Sequence, residues 1–192
     1  MTTSVPRNVP QRIHPHKFLM WAAIGGIVMM FAGLTSAYIV KKNQSSWLQF
    51  DLPIEFYYST GVIVLSSITM YLSAIALKAA KISQYKAMIS ITAFLGISFL
   101  LFQYLGFKDL QAKSIALVGP RSNSASSFPF VITFLHMMHV LGGVIALIIF
   151  WFKAIRKNSA ITSLISLEVL GTYWHFVGIL WIYLFLFYNW IG

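Results

Sequence analysis

Residues 172–187, TYWHFVGILWIYLFLF, place a single histidine, His175, in an otherwise apolar and aromatic run. The uncharged stretch extends from 169 to 191, and about 20 apolar residues are enough to cross a hydrocarbon core of about 30 Å as a helix. Apolar and polar residues do not alternate here, as they would in a barrel strand. The stretch therefore predicts a transmembrane helix, and the imidazole inside it requires an explanation.

The whole chain has the composition of an integral membrane protein. Of its 192 residues, 58% are hydrophobic and only 9% are charged, whereas about 25% of the residues of a soluble domain are charged. Too few polar residues remain to cover the surface of a water-soluble fold. The absence of cysteine excludes disulfides and thiolate metal sites.

Five apolar segments are long enough to span a membrane as helices. The first is too long for the apolar region of a signal peptide, so we expect it to remain in the protein. We predict an N-terminal arm over residues 1–17 and one membrane domain over 18–192, with an irregular connection over 108–129. The fold class is an all-α bundle of five transmembrane helices, with spans at about 18–40, 58–77, 88–107, 129–152 and 169–191.

The net charge of +10 comes mainly from basic residues in short clusters between the apolar segments. This placement is typical of membrane topology signals and not of a nucleic-acid-binding surface. Nine basic residues lie on the side of the N-terminal arm and five on the other side, which also holds three of the four acidic residues. The positive-inside rule predicts a cytoplasmic N-terminal arm and a C-terminus outside.

The fourth and fifth spans each present a polar face, because spacings of three, four and seven residues return to the same side of a helix. Ionisable side chains inside a membrane are rare and often functional. A histidine that hydrogen-bonds across a pair of helices can also be purely architectural. We predict that the two faces pack together as one buried polar network, with these members: Thr133, His136, His139, Glu168, Thr172 and His175.

Small and polar residues predict further packing faces, because helices in lipid gain little from apolar contact with one another. The second span is rich in serine and threonine, whose hydroxyls can bond to their own helix. In the third span, the amide of Gln103 is expected to bond a neighbouring helix. The first span carries a stripe of small residues: Ala22, Gly26, Gly33 and Ala37.

The histidines leave one alternative open. In antiparallel fourth and fifth spans, a rise of about 1.5 Å per residue brings His139 and His175 to similar depths, where they could hold a haem. The alternative function is therefore a small b-type cytochrome or the membrane anchor of a respiratory dehydrogenase. We otherwise predict no catalytic, cofactor-binding or metal-binding residue, since no acid–base or nucleophilic constellation is present. Broken helix pairs of the kind found in transporters are also absent from the pattern.

The last span resembles the final helix of cytochrome c oxidase subunit III, the non-catalytic third subunit of haem–copper oxygen reductases. That family has a glutamate seven residues before the histidine of a YWHFV string, matched here by Glu168 and His175. The preceding span is similar to the family pattern T-x-x-H-x-x-H-V-x-x-G, and FAGLTSAYI (31–39) and LGISFLLFQYLGF (95–107) resemble two further helices. The residues that match the YWHFV motif and its continuation are Tyr173, Trp174, Phe176, Val177 and Trp181.

This resemblance covers essentially the whole chain and implies a short, five-helix bacterial form in the plasma membrane. It implies an accessory subunit of a proton-pumping terminal oxidase of aerobic respiration, with haem and copper held by the catalytic subunit I, next to subunit II. By analogy, the chain would stabilise subunit I and support proton uptake and oxygen access. The expected partners include membrane lipids but no nucleic acid, and the resemblance is compatible with a bound phospholipid and with a larger respiratory supercomplex.

Two acidic residues of the family are missing. The first span commonly carries a glutamate where this chain has Ile27, and an aspartate commonly follows HFV where this chain has Gly178. Proton-related roles that depend on those acids do not carry over. The role that does carry over is structural, and it predicts that His175 hydrogen-bonds either the fourth helix or Glu168.

Overall fold

The structure is a computed structural model that describes residues 15–42, 52–112, 124–156 and 164–191. The described residues form five α-helices and no strand. The helices are α1 (Pro15–Lys42), α2 (Ile54–Lys78), α3 (Ile82–Ala112), α4 (Ser124–Arg156) and α5 (Leu164–Ile191).

All five helices are long and apolar enough to cross a membrane, which confirms the predicted fold class. Most helix ends lie a few residues beyond the predicted spans, because hydropathy marks only the part of a helix that suits hydrocarbon. The connection predicted to be irregular over 108–129 is helical at both ends, since α3 continues to Ala112 and α4 begins at Ser124. Residues 1–14 of the predicted arm lie outside the described residues, and the domain boundary at residue 17 stays a prediction.

Helix α5 is the central element of the bundle. It packs against α1, α2 and α4, while α3 packs against α2 and α4. Helices α1 and α5 run parallel, because Lys17 contacts Glu168 at one end and Lys42 donates to the Ile191 carbonyl at the other. We call these two ends of the bundle the Lys17 end and the Lys42 end.

Two tryptophans of α5 fill the centre of the bundle, and both Trp174 and Trp181 are fully buried. The Trp174 ring lies directly on glycine backbone. A Cβ atom added at Gly96 of α3 would lie 2.8 Å from this ring, and one added at Gly143 of α4 would lie 3.1 Å from it. The missing side chains of these glycines therefore allow α3 and α4 to approach the indole.

The turn between α2 and α3 consists of Ala79, Ala80 and Lys81. Ala80 has a φ of 56°, in the left-handed region that glycine usually occupies. The Ala80 amide donates to the Leu77 carbonyl and the Lys81 amide to the Ala76 carbonyl, which satisfies two carbonyl groups at the end of α2. This short turn makes α2 and α3 an antiparallel hairpin.

Helix α1 has the opposite arrangement of large and small residues. Its large residues Phe31 and Tyr38 are buried against α4 and α5. The predicted stripe of small residues is exposed, and a Cβ atom added at Gly26 or Gly33 would meet no atom within 4 Å. The prediction that this stripe packs against other helices of the chain is therefore wrong for the described residues, because aromatic side chains on the opposite side of α1 make that contact.

Candidate functional site: polar contacts between the helices

The six residues predicted to form one polar network occupy several separate places in the bundle. Each of them makes a different set of contacts, and the described structure does not join them through a continuous chain of hydrogen bonds. The physical reason is that α5 contacts three other helices, so its polar residues point towards different neighbours. The six residues therefore make separate local contacts, which are distributed from the Lys17 end towards the Lys42 end.

Glu168 joins three helices at the Lys17 end. One carboxylate oxygen accepts a hydrogen bond from Lys17 of α1 at 2.8 Å, and the other pairs with Lys78 of α2 at 3.0 Å. All three side chains are partly exposed, so water reaches this group. Thr172 belongs to the same place, because its hydroxyl donates to the Glu168 carbonyl at 2.9 Å. The group connects the beginning of α1 to α2 and α5.

His175 points towards α2. Its Nδ1 lies 2.5 Å from the hydroxyl oxygen of Ser67. The prediction that His175 pairs with the fourth helix or with Glu168 is therefore wrong in its choice of partner. The sequence placed the histidine on the polar side of α5, but that side is shared between α2 and α4, and His175 lies on the α2 side of it.

A cavity of about 340 Å³ lies beside these contacts, between α1, α2 and α5. The Lys17–Glu168–Lys78 group lines it together with Thr172 and His175, and Trp21 and Tyr71 contribute aromatic surface. The polar residues near the Lys17 end therefore surround a common space and are not enclosed in a dry core.

His139 makes a local contact within α4. Its Nδ1 is 2.7 Å from the carbonyl oxygen of Leu135, one turn earlier. The Tyr173 hydroxyl donates to the His139 carbonyl at 2.9 Å, so α5 reaches the backbone of α4 at this residue and not its imidazole. The His139 ring itself faces Phe31 of α1 at 5.9 Å between ring centroids. His139 and His175 thus point towards different helices.

His136 lies in the centre of the bundle, among aromatic rings. It is fully buried, stacks on Trp181 at 5.5 Å between centroids, and is nearly perpendicular to Phe31 and Phe99. No described protein group lies within hydrogen-bond distance of either ring nitrogen. This is the one member of the predicted network for which the described residues supply no polar partner.

Thr133 is one turn closer to the Lys42 end. Its hydroxyl is 3.2 Å from that of Tyr188 of α5, and the Tyr188 hydroxyl also lies 3.4 Å from the Pro129 carbonyl. Thr133 and Tyr188 are both buried. This contact does join α4 to α5, as the sequence predicted for the two polar faces, but through a tyrosine that the prediction did not include.

The hydrogen bonds between α5 and α2 were missed by the sequence analysis. The Trp174 indole donates to the Ser66 hydroxyl at 3.1 Å, and the Trp181 indole donates to the Thr60 hydroxyl at 3.0 Å. The sequence carries a signal for the buried side of α2, because Ser59, Ser66 and Ser73 recur every seven residues, the spacing of a helix–helix seam; only Ser66 of the three bonds α5, whereas Ser59 bonds Gln103 of α3. All three serines are buried.

The described residues contain no group of three or more histidine, cysteine, aspartate or glutamate side chains arranged to hold a metal ion. Of the two histidines considered for haem, His139 uses Nδ1 in a hydrogen bond within α4, and His175 uses Nδ1 in a hydrogen bond to Ser67 of α2. The arrangement of the polar groups is that of contacts between helices.

Comparison with known proteins identifies the family. The family model for cytochrome c oxidase subunit III matches residues 48–192. The chain belongs to this family. A probable cytochrome c oxidase subunit 3 from Mycobacterium bovis is 28% identical over 96% of this chain and 97% of its own length.

Two further relatives widen the comparison. Cytochrome c oxidase subunit 3 from Bacillus sp. strain PS3 is 24% identical, and cytochrome bo(3) ubiquinol oxidase subunit 3 from Buchnera aphidicola is 28% identical. Each alignment covers 88% of this chain and 83% of the relative. The chain is a terminal oxidase subunit III, of a family that is non-catalytic, and a multi-pass protein of the bacterial plasma membrane.

Several residues of the subunit III motif pack or hydrogen-bond against the neighbours of α5. Trp174, Val177 and Trp181 are fully buried, and Tyr173 holds the backbone of α4. Phe176 is half-buried and packs against the core. The motif residues therefore define how the last helix of this subunit III lies between α2 and α4.

The positions of the two missing acids lie in apolar surroundings. A Cβ atom added at Gly178 would lie 3.6 Å from the side chain of Ile63 on α2. Ile27 is half-buried and packs in the cluster that contains Phe31. An unpaired carboxylate would be costly in such apolar contact, and the residues present in this subunit III suit it better.

Proposed function

We propose that this subunit III stabilises the catalytic subunit I of its oxidase, together with subunit II, and thereby sustains proton uptake and oxygen access. Haem and copper would be held by the catalytic subunit. The observation that carries the proposal is the family match over residues 48–192, which includes α2 to α5 with their α2–α5 and α4–α5 contacts.

The six predicted site residues are proposed to act structurally. Five of them make hydrogen bonds or ion pairs that connect helices or helical turns. Buried hydrogen bonds between helices, such as the one from Thr133 to Tyr188, are worth about 0.6–2 kcal/mol each in membranes. Together they favour a rigid bundle, which is what a stabilising subunit needs to offer its neighbour.

The Lys17 end is proposed to face the cytoplasm. The basic residues of the N-terminal arm and of the loops at this end support that orientation through the positive-inside rule. Fusion of a reporter enzyme that is active only in the periplasm tests it. Activity after Ile191 and none at residue 80 is expected, and the reverse result would overturn the orientation.

Purification of the tagged chain from its native membranes in mild detergent tests the proposed assembly. We expect copper and haem to co-purify with it, in a complex whose reduced haem binds carbon monoxide. A b-type haem spectrum without copper and without carbon monoxide binding would support the small cytochrome instead. In that case His139 and His175 would be the first residues to replace.

A second experiment tests stabilisation directly. Removal of this chain should leave an oxidase that begins to turn over normally and loses activity during sustained turnover, because the catalytic subunit lacks its support. Re-addition of the purified chain should restore the lifetime. Equal lifetimes with and without the chain would contradict the proposal.

The contribution of His175 is tested by replacing it with leucine. We expect His175→Leu to weaken retention of this chain in the oxidase, because the contact to Ser67 is lost. Ser67→Ala is the matched variant from the other side of the same contact and should have a similar effect. Unchanged assembly and turnover in both variants would remove the structural role proposed for His175.

A further inference from the structure

Two fully buried side chains near the centre of the bundle carry polar atoms that no described protein group satisfies. Both ring nitrogens of His136 and the side-chain oxygen of Gln103 lack a hydrogen-bond partner, and each residue is 0% exposed. Buried polar atoms in folded proteins are almost always paired with protein or with ordered water. One bridging group can satisfy two such residues when they lie on neighbouring helices.

The helix contacts place these residues about one turn apart. Helices α3 and α4 are antiparallel, with Phe99 facing His136 at 6.2 Å and Phe107 facing Phe130 at 5.3 Å between ring centroids. Gln103 lies midway between the two phenylalanines and is thus level with Thr133. Since each helical residue rises about 1.5 Å, Gln103 and His136 differ by about 4.5 Å along the bundle.

The contacts of Gln103 define what its oxygen needs. The Gln103 Nε2 donates to the Ser59 hydroxyl of α2 at 2.9 Å. This contact identifies the other end of the amide as the free acceptor, which requires a donor. The Ser59 hydroxyl itself donates to the Phe56 carbonyl at 2.9 Å, so it does not serve as that donor.

The contacts of His136 leave its ring edges available. One face of the imidazole stacks on Trp181, and the nitrogens lie on the ring edge, away from that face. Phe99 stands nearly perpendicular to the imidazole, with an interplanar angle of 83°. A neutral imidazole has one N–H donor and one acceptor nitrogen, so either nitrogen can bond a water molecule.

A water molecule has the size and chemistry that this place requires. With hydrogen bonds of about 2.8 Å on each side, one water bridges heavy atoms up to about 5.6 Å apart, so it can span an offset of about 4.5 Å along the bundle. It can donate to the amide oxygen and either donate to or accept from the imidazole. Proteins contain about one buried water per 27 residues, usually bound to groups that would otherwise be unsatisfied.

We propose that an internal water molecule bridges His136 of α4 and Gln103 of α3 beside the ring of Trp181. Through Ser59, this water extends a polar connection from α2 across α3 to α4. His136 then has a hydrogen-bond partner, as the other five predicted residues do. Its partner is a water molecule, whereas the sequence predicted a side chain of α5. The site is independent of the function proposed above.

A double-mutant cycle in the purified oxidase complex tests the coupling. The variants are His136→Leu, Gln103→Leu and the combination, and the measurement is the temperature at which this chain is released from the complex. Each single change should lower it by several degrees, because the partner atoms and the water lose a hydrogen bond. The release temperature of the double variant should be no lower than that of the less stable single variant, since replacing both polar groups leaves no buried polar atom without a partner. Additive losses would overturn the proposal.

His139→Leu with Gln103→Leu provides the matched control. His139 is also a histidine of α4, but its Nδ1 already bonds the Leu135 carbonyl. Its replacement should therefore add to that of Gln103 without coupling. Coupling of the same size in both cycles would show a general loosening of α4 and count against the bridge.

A density map of the unaltered complex, at a resolution that shows ordered water, decides the case directly and does not depend on folding of the variants. Density within hydrogen-bond distance of both the Gln103 oxygen and a His136 nitrogen is expected. Direct contact between the two side chains would contradict the proposal. So would an empty position in a map that shows other buried waters.

Discussion

Helices α5 and α1 both bury large residues inside the bundle, but these residues contact the neighbouring helices in different ways. Trp174 of α5 inserts against glycine backbone of α3 and α4, and both Trp174 and Trp181 donate hydrogen bonds to hydroxyls of α2. Phe31 and Tyr38 of α1 instead pack in an aromatic cluster, while the glycines of α1 face outwards. The position of α5 in the bundle is thus fixed more strictly than that of α1. Close backbone approach and directed hydrogen bonds tolerate smaller shifts of a helix than contacts between rings do.

The polar contacts of α1 show the same difference. Thr35 meets the Tyr183 hydroxyl at 3.1 Å within the bundle, and two further contacts with α5 lie near the helix ends, where Lys17 meets Glu168 and Lys42 meets the Ile191 carbonyl. Side chains near the ends are partly exposed and gain less from pairing. We therefore expect the bundle of α2 to α5 to be the more stable unit, with α1 attached to it.

The largest effect should follow from Trp174→Ala. It removes a fully buried indole and its bond to Ser66, and large-to-small changes of this kind cost about 3–5 kcal/mol. The free energy of unfolding in mixed micelles measures it. Trp190→Ala is the control, because Trp190 is 89% exposed. Equal losses in the two variants would contradict the central place given to α5.

Two glycines offer the second test, since Gly96 is closely packed in the core and Gly26 on α1 faces open space. Gly96→Val should cost about 1–3 kcal/mol by overpacking, because a Cβ atom there already lies 2.8 Å from the Trp174 ring. Gly26→Val should leave the stability of the purified chain nearly unchanged, since its Cβ meets no atom within 4 Å. If both variants lose stability equally in the isolated chain, the contrast between the two helices is wrong.

Glu168→Gln should have a smaller effect and act mainly on α1. It removes two ion pairs between partly exposed side chains, and such pairs are worth less than about 1 kcal/mol each. Proteolysis between α1 and α2 should become faster at low salt, while at high salt the variant and the unaltered chain should converge, because salt screens the pairs. Lys81→Gln, an exposed charge change at the same end, should alter the rate of proteolysis at neither low nor high salt.

The sequence predicted the number, class and approximate bounds of the helices, because about 20 uncharged apolar residues have few other stable solutions in a membrane. It also placed Thr133 and His136 on an inward face. It did not predict the neighbours, since helical periodicity says which residues share a face but not which helix that face meets. His175 was therefore assigned to α4 and not to Ser67, and the small residues of α1 were expected to pack within the chain.

The smallest expected effect concerns the turn between α2 and α3. Ala80→Gly should stabilise the chain by about 0.5 kcal/mol, because glycine adopts the left-handed conformation without the steric cost that alanine bears, partly offset by its greater freedom when unfolded. Ala79→Gly is the matched control, since Ala79 has a φ of −82° and gains nothing from glycine. The gain should appear in the unfolding of the α2–α5 unit, and the rate of proteolysis between α1 and α2 should not change. If Ala79→Gly stabilises the chain equally, the backbone strain at Ala80 is not the source of the gain. If Ala80→Gly changes the rate of proteolysis between α1 and α2, then α1 and the α2–α5 unit do not respond separately.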